Sequence, residues 1–323
     1  MRRASDAMKW PAAPRWMAWT PHAAVLWALV YGAVRVWWAV NGAPSFGRLG
    51  TDLIVFNGWP AIGLCAAAAV VALALRTAPW MWPLLLAGWG VCAALLASCA
   101  LLLLDVVGGV FRGSGVPFIP AAFASRAACF VGAILVGSAA VAYRRRWRSA
   151  CLFCGQTGVR VWMAQPPRWA WWAAYAAMAG WAVRLGAQAA VGFGSLLRAP
   201  GALWAFEACF VLAGTVLPLA LVHSWGRVFP GWAPLLGRRR VPRWLLLGPA
   251  FGIGGALTVY FGVSFVGFTV ATLTGSWNRN APPLPLAFFW VAMPAYLVWG
   301  LGLWAAAIAY YRVSRPTCRV CGR

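Results

Sequence analysis

Eight apolar stretches, each long enough to cross a bilayer, constrain the fold of this 323-residue chain more than any other feature. A transmembrane helix needs about 20 residues to cross the hydrocarbon core. With 63% hydrophobic and 10% charged residues, the chain also has too little polar surface to cover a soluble globule of this length. We therefore predict an all-α membrane protein with eight transmembrane helices. The stretches are residues 21–41, 53–75, 80–106, 117–142, 169–191, 202–223, 244–273 and 285–311.

The basic residues are distributed unevenly between the two sides of these stretches. Of the 27 Lys and Arg residues, 20 fall on the side that carries both termini and four on the other, with three inside the stretches. The positive-inside rule then predicts cytoplasmic N- and C-termini. The heavy use of Arg, Ala, Gly, Pro and Trp suggests a GC-rich bacterial genome, so we expect a bacterial inner-membrane protein. We attribute the basic charge to topology rather than to nucleic-acid binding, and expect anionic lipids at the cytoplasmic face.

Short matches in the same order along the chain indicate an internal repeat. They are Ala33-Val34-Arg35 with Ala182-Val183-Arg184, Leu73-Ala74-Leu75 with Leu219-Ala220-Leu221, and the two Cys-x-x-Cys-Gly segments, at offsets of 149, 146 and 167 residues. Two units of four helices, an even number, would be parallel and pseudo-symmetric. The predicted organisation is a cytoplasmic segment (1–20), a first four-helix repeat (21–155), a cytoplasmic linker (156–168) and a second four-helix repeat (169–323).

Two cysteine pairs close the two predicted repeats. Cys151 and Cys154 end the first repeat, Cys318 and Cys321 end the second, and each pair is followed by Gly. Four thiolates are the ligand set of a tetrahedral structural zinc site, and a parallel repeat sends both pairs to the cytoplasmic face. We predict one structural zinc ion shared by all four cysteines. Two alternatives remain open: a redox-active dithiol pair, or exposed pairs that bind nothing or a different soft metal.

Six charged residues within or beside the apolar stretches are candidate functional groups, because ionisable side chains are costly in hydrocarbon. They are Arg35, Asp52, Asp105, Arg126, Arg184 and Glu207. The expected pairs are Arg35 with Asp52, Arg126 with Asp105, and Arg184 with Glu207. One interpretation is that the pairs only neutralise each other and set helix register. The other is an outward-facing polar cavity in which the two arginines at matching repeat positions receive an anionic or polar headgroup.

The sequence contains no catalytic signature. Nucleotide-binding loops, nucleophile elbows, zinc-protease helices and Asp-rich magnesium motifs are all absent, and the chain has only four Asp and Glu residues. The first hypothesis is therefore a permease-like transporter or flippase for a small amphiphilic or anionic molecule. The alternative is a non-transporting scaffold or accessory subunit whose zinc site docks a cytoplasmic protein. A membrane enzyme is the third and least favoured class.

Overall fold

Helices account for nearly all of the described chain, because apolar segments in lipid must satisfy their backbone groups internally. The computed structural model describes residues 14–46, 57–111, 118–148, 150–155, 165–192, 202–229, 231, 237, 239–276, 285–315, 318 and 321. Over these residues it contains ten α-helices and, as its only extended pairing, an isolated bridge between Val228 and Arg240. The all-helical class predicted from the sequence is confirmed.

The helices form two bundles in chain order. The first bundle contains α1 (Trp16–Asn41), α2 (Trp59–Thr77), α3 (Met81–Ser98), α4 (Leu102–Val110) and α5 (Pro120–Trp147). The second contains α6 (Arg168–Val191), α7 (Ala202–Gly214), α8 (Val216–Val222), α9 (Arg243–Leu273) and α10 (Leu286–Ser314). A short 3-10 turn, Ser224–Gly226, follows α8.

Six of the helical segments are long and apolar enough to cross a membrane, which indicates a multi-pass membrane protein. They are Trp16–Asn41, Trp59–Thr77, Met81–Val110, Pro120–Trp147, Arg243–Leu273 and Leu286–Ser314. Two of the eight predicted spans are not in this set. The stretch 169–191 forms α6, a helix of sufficient length but lower hydropathy, and the stretch 202–223 is divided between α7 and α8. Eight spans therefore remain a prediction.

Two predicted spans are interrupted within their length. The stretch 80–106 is interrupted at residues 99–101, where turns replace regular helix between α3 and α4. The stretch 202–223 is interrupted at Thr215, whose φ and ψ of −118° and −68° depart from helical values. The Thr215 hydroxyl donates to the Val211 carbonyl at 2.7 Å, beside the backbone N–H of Thr215 at 3.0 Å, a pattern that often bends helices. The sequence analysis predicted neither break.

Small residues allow close helix packing in the first bundle. Ala24 and Ala28 of α1, Ala68 and Ala72 of α2, and Ala133 of α5 are all buried in one cluster. Within a membrane, helix association depends on such close packing rather than on exclusion of apolar surface from water. These alanines therefore let α1, α2 and α5 approach one another closely.

The second bundle is organised around α10. Trp299 and Leu303 of this helix are almost completely buried. Its neighbour α6 approaches so closely that a Cβ added to Gly180 would lie 2.6 Å from the carbonyl oxygen of Ala295, and one added to Gly302 would lie 2.5 Å from that of Ala173. Both positions thus require glycine for the helices to reach their observed separation.

Side-chain contacts bring several helix ends of the first bundle to one face. The Arg146 guanidinium near the end of α5 donates to the Met17 carbonyl at the start of α1, at 2.8 Å. The Tyr143 hydroxyl donates to the Ala78 carbonyl just after α2, at 2.9 Å. These contacts gather the start of α1, the end of α2 and the end of α5 around the segment that carries Cys151.

The corresponding ends of the second bundle meet in a similar way. The Tyr310 hydroxyl near the end of α10 donates to the Gly226 carbonyl after α8, at 3.0 Å. The Trp171 ring at the start of α6 packs edge-on against His223, with 4.7 Å between ring centroids. The start of α6, the end of α8 and the end of α10 therefore lie together.

Candidate functional site

Four cysteines from the two bundles meet at one place. Cys151 and Cys154 follow α5, whereas Cys318 and Cys321 follow α10. Their four Sγ atoms all lie within 4.8 Å of one another, and each residue is partly buried. The Sγ atoms of Cys154 and Cys321 are 3.5 Å apart, and all four cysteines are free thiols. Residues separated by more than 160 positions thus form one cluster that could hold a metal ion.

A tight turn positions the first cysteine pair. The Gly155 N–H donates to the Cys151 carbonyl at 2.6 Å and closes the turn around the two thiols. Gly155 adopts a φ of +75°, in the left-handed region that glycine enters without the steric cost other residues incur. Gly155, which follows the first cysteine pair, therefore allows the backbone conformation that this turn requires.

Two arginines donate hydrogen bonds to backbone carbonyls of this turn. Arg145 of α5 donates to the Leu152 carbonyl at 2.8 Å. Arg315, which follows α10, donates to the Cys154 carbonyl. The second contact crosses from one bundle to the other, so the cysteine turn is fixed by cations of both bundles. Their positive charge would also offset the negative charge of metal-bound thiolates.

The geometry of the cluster suits a tetrahedral metal ion. Zinc–sulfur bonds of about 2.3 Å imply sulfur–sulfur separations of about 3.8 Å, which is close to the observed arrangement. Burial raises the pKa of the Cys151 thiol, but hydrogen bonds from the backbone of Cys154 and Phe153 and the side chains of Cys154 and Cys321 bring it below its ordinary value. The thiolate, the metal-binding form, is thereby favoured.

Arg126 and Asp105 form the ion pair that the sequence suggested. The Nη1 atom of Arg126 lies 2.6 and 2.7 Å from the two carboxylate oxygens of Asp105. Both side chains are buried, at 2% and 7% exposure. The pair joins α4 to α5 immediately beyond the α3/α4 break. Within an apolar bundle such a pair neutralises two charges that would each be expensive alone.

Arg35 is buried inside the first bundle. Its Nη1 atom donates to the Tyr31 hydroxyl at 3.4 Å, and its guanidinium lies 5.6 Å from the centroid of the Trp38 ring. The Tyr31 hydroxyl in turn bonds the Ser125 hydroxyl at 2.8 Å. The predicted partner Asp52 lies outside the described residues, so that pairing stays a prediction.

Arg184 does not form the ion pair predicted with Glu207 in the described part of the chain. Instead its Nε atom donates to the Tyr296 hydroxyl on α10, and its guanidinium lies over the rings of Phe210 and Tyr296, 5.3 and 5.4 Å from their centroids. Cation–π contacts and a phenol acceptor thus take the place expected for a carboxylate. Arg184 thus packs between Phe210 of α7 and Tyr296 of α10, and the partly exposed Glu207 of α7 makes no ion pair with it in the described structure.

A ligand-sized cavity lies between the two bundles. Its volume is about 280 Å³, and its wall is almost entirely apolar. The wall is formed by α4 with Ala100 and Phe111 from the first bundle, and by α7, α9 and α10 from the second. Its residues are Ala100, Leu103, Leu104, Val107, Phe111, Cys209, Phe210, Ala213, Ile253, Ala256, Leu257, Tyr260, Phe261, Tyr296 and Trp299.

This cavity differs from the one expected from the sequence. Neither Arg35 nor Arg184 lines it, although Arg184 lies directly behind two of its wall residues, Phe210 and Tyr296. Both helix breaks adjoin it, through Ala100 in the first and Ala213 beside the second. Sequence reasoning missed this aromatic wall, because Trp and Phe residues are frequent throughout the chain and carry no positional signal.

Comparison with protein-family models, with curated proteins and with solved structures finds no match for this chain. The function must therefore be argued from the metal-binding cluster, the intramembrane arginines and the cavity themselves.

Proposed function

We propose that the chain is an eight-span protein of the bacterial inner membrane, built from two parallel four-helix repeats with cytoplasmic termini. The six long apolar helices, together with α6 and the α7/α8 pair, account for eight crossings. Two equivalent hydrogen bonds support the repeat: Tyr143 and Tyr310 each donate to a carbonyl just after the second span of their own bundle. These tyrosines are 167 residues apart, the same offset as Cys151 and Cys318.

The predicted domains follow from this proposal. Segment 1–20 precedes the bundles, 21–155 and 169–323 are the repeats, and 156–168 links them on the cytoplasmic side. The orientation can be tested with a membrane-impermeant thiol reagent on intact cells. A cysteine introduced at Ser45 or Ser276 should react, whereas the native pairs should not. Reaction of Cys151 or Cys318 from outside would reverse the orientation.

The function that the geometry supports best is movement of a small amphiphilic or anionic molecule across the membrane between the two bundles. The observation that carries this proposal is the cavity of about 280 Å³ at the bundle interface, bordered by two broken helices. Several transporter folds combine repeats with discontinuous helices that meet at a binding site near the bilayer midplane. The cavity's apolar wall favours amphiphilic cargo.

The cysteine cluster has a structural role in this proposal. A Cys₄ set with closed coordination is typical of structural zinc, and the reducing cytoplasm disfavours a permanent disulfide there. One zinc ion would tie the end of α5 to the end of α10. The two bundles could then move relative to each other around a fixed cytoplasmic connection.

One observation favours the alternative of a scaffold or accessory subunit. Trp147 and Phe153 beside the cysteine cluster are 47% and 41% exposed. Exposed aromatic side chains near a metal-stabilised turn suit the docking of a cytoplasmic protein. In this case the cluster would organise a docking surface, and the inter-bundle cavity would have no cargo.

A lipid-translocation assay tests the transport proposal. Purified protein is reconstituted into vesicles that contain a fluorescent phospholipid, and a membrane-impermeant reductant bleaches the outer leaflet. We expect the protein to make the inner-leaflet lipid accessible. Leu257→Trp, which fills the cavity, should slow the exposure of inner-leaflet lipid to the reductant at least about tenfold. Leu245→Trp, on the exposed side of α9, should leave that rate unchanged. Bleaching no faster than in protein-free vesicles, with the metal-bound protein intact, would favour the scaffold.

A further inference from the structure

Two thiols of the cysteine cluster meet across the junction between the bundles. The Sγ atoms of Cys154 and Cys321 are 3.5 Å apart, close enough for one thiol to donate a hydrogen bond to the other. Cys154 follows α5 of the first bundle, whereas Cys321 follows α10 of the second. A small movement of the two side chains would therefore bring sulfur atoms from different bundles to bonding distance.

Side chains from both bundles hold these thiols together. Arg315, three residues before Cys318, donates to the Cys154 carbonyl and so connects the second bundle to the first cysteine turn. From the first bundle, Arg145 donates to the Leu152 carbonyl at 2.8 Å. The approach of the two chain segments thus rests on protein contacts as well as on any metal ion that the cluster holds.

The clustered thiols are also accessible to small molecules. All four are partly exposed, and Phe153 within the first pair is 41% exposed. Four of the other five cysteines are buried: Cys65, Cys92, Cys99 and Cys129. The fifth, Cys209, is exposed but lies on α7, outside the cluster. Because oxidation of a cysteine requires access, the cluster combines exposure with a second thiol in contact.

We propose that Cys154 and Cys321 form a reversible disulfide between the two bundles when a peroxide oxidises the cluster. This inference goes beyond the proposed transport and the proposed zinc site and requires neither of them. A bound metal and the disulfide are alternative ways to join the end of α5 to the end of α10. In a reducing cytoplasm the disulfide is transient, since cellular thiols reverse it by exchange.

The reaction balances with one peroxide molecule for each disulfide. The thiolate of one cysteine attacks a peroxide oxygen, the O–O bond breaks, and the products are a sulfenic acid and hydroxide. The thiolate of the other cysteine then attacks the sulfenic sulfur, which forms the S–S bond and releases a second hydroxide. The two sulfur atoms together lose two electrons, and the peroxide gains them. Cys151 and Cys318 remain as thiolates, too few for a closed structural zinc site.

Disulfide mapping by mass spectrometry tests this assignment. The full-length protein, purified in detergent, is treated with hydrogen peroxide and digested without reductant. We expect a cross-linked peptide that joins Cys154 to Cys321. Dithiothreitol should separate its two strands. Disulfides confined to Cys151–Cys154 and Cys318–Cys321, or sulfinic acids that dithiothreitol does not reduce, would overturn the proposal.

Two double variants separate the cross-link from metal binding. Cys151→Ser with Cys318→Ser removes the closed four-thiolate site but should still form the Cys154–Cys321 disulfide. Cys154→Ser with Cys321→Ser should yield at least about tenfold less disulfide between the bundles, because both bonding sulfur atoms are gone. Cys209→Ser is the matched control at an exposed thiol outside the cluster, and it should leave the disulfide yield unchanged. Equal yields from the two double variants would overturn the proposal.

The outcomes separate this inference from the proposed zinc site. A disulfide between Cys154 and Cys321 in protein that contains no zinc would uphold the inference and refute the zinc site. One zinc ion per chain before oxidation, with disulfides only within each pair afterwards, would uphold the zinc site and refute the inference.

Discussion

In each bundle the first and last helices pack through one bulky and one small residue. The bulky residue lies on the first helix, α1, in the first bundle but on the last helix, α10, in the second. Trp27 of α1 packs on Gly132 of α5, where an added Cβ would overlap the indole ring. In the second bundle Gly180 belongs to α6, and a Cβ there would lie 2.8 Å from the backbone nitrogen of Trp299 on α10. Gly132 and Trp299 are 167 residues apart, which makes them matching positions in the proposed repeat. The large and small partners have exchanged helices.

This exchange changes what the aromatic residues face. Trp27 donates its indole N–H to the Ala128 carbonyl at 2.9 Å and is satisfied inside its bundle. Trp299 has no such acceptor in the described structure and lines the inter-bundle cavity. The Trp27 donor of the first bundle is thus satisfied within that bundle, whereas the Trp299 donor of the second bundle has no described acceptor.

The intramembrane charges follow the same division. Asp105 and Arg126 neutralise each other within the first bundle. In the second bundle Arg184 relies on a phenol and two aromatic rings. The second bundle therefore holds a cation that makes no ion pair in the described structure, and such a cation is costly in hydrocarbon.

The largest effect should come from breaking the first bundle's ion pair. Asp105→Asn leaves the buried Arg126 uncompensated and should cost about 3–5 kcal/mol of unfolding free energy. The measurement is reversible unfolding in mixed micelles. Adding Arg126→Gln should recover much of the loss. Simple additivity of the two substitutions would show that the pair is not energetically coupled.

A smaller effect is expected where α6 and α10 approach most closely. Gly180→Ala places a methyl group against the backbone of α10 and should cost about 1–3 kcal/mol. Gly186→Ala is the matched control on the same helix, because nothing lies within 4 Å of its added Cβ. That control should be neutral or slightly stabilising, as expected for Gly→Ala in an open helical position. Equal losses from both substitutions would contradict the close α6–α10 packing.

The smallest effect concerns Glu207. Because this side chain is partly exposed and makes no ion pair with Arg184 in the described structure, Glu207→Gln should change stability by no more than about 0.5 kcal/mol. Thermal unfolding in detergent, compared with that of Asp105→Asn, measures the difference. A loss as large as that of Asp105→Asn would restore the Arg184–Glu207 pair predicted from the sequence.

Much of the helical layout could be predicted because it depends on composition along the chain. The predicted stretch 244–273 differs from the observed α9, Arg243–Leu273, by one residue. The proximity of Asp105 and Arg126 could also be predicted, since the two residues flank one short connection. The proximity of the four cysteines was predicted from the proposed parallel repeat, which would bring both chain segments to one face.

The remaining features depend on rotation about helix axes and on tertiary packing. The α3/α4 break falls at Cys99, Ala100 and Leu101, where neither Pro nor Gly marks it. Hydropathy places Arg184 at a depth in the membrane but does not determine that it contacts Phe210 and Tyr296. The cavity is formed by side chains from four helices, and no local pattern encodes such an assembly.

The metal content of the purified protein tests the central claim, that two like bundles are joined through one shared site. Protein isolated without chelator should contain about one zinc ion per chain, because a structural zinc site needs all four thiolates. Replacing Cys151 and Cys154 with Ser, or Cys318 and Cys321 with Ser, should remove the metal completely. Retention of half the zinc after loss of one pair, or no zinc in the intact protein, would contradict the account.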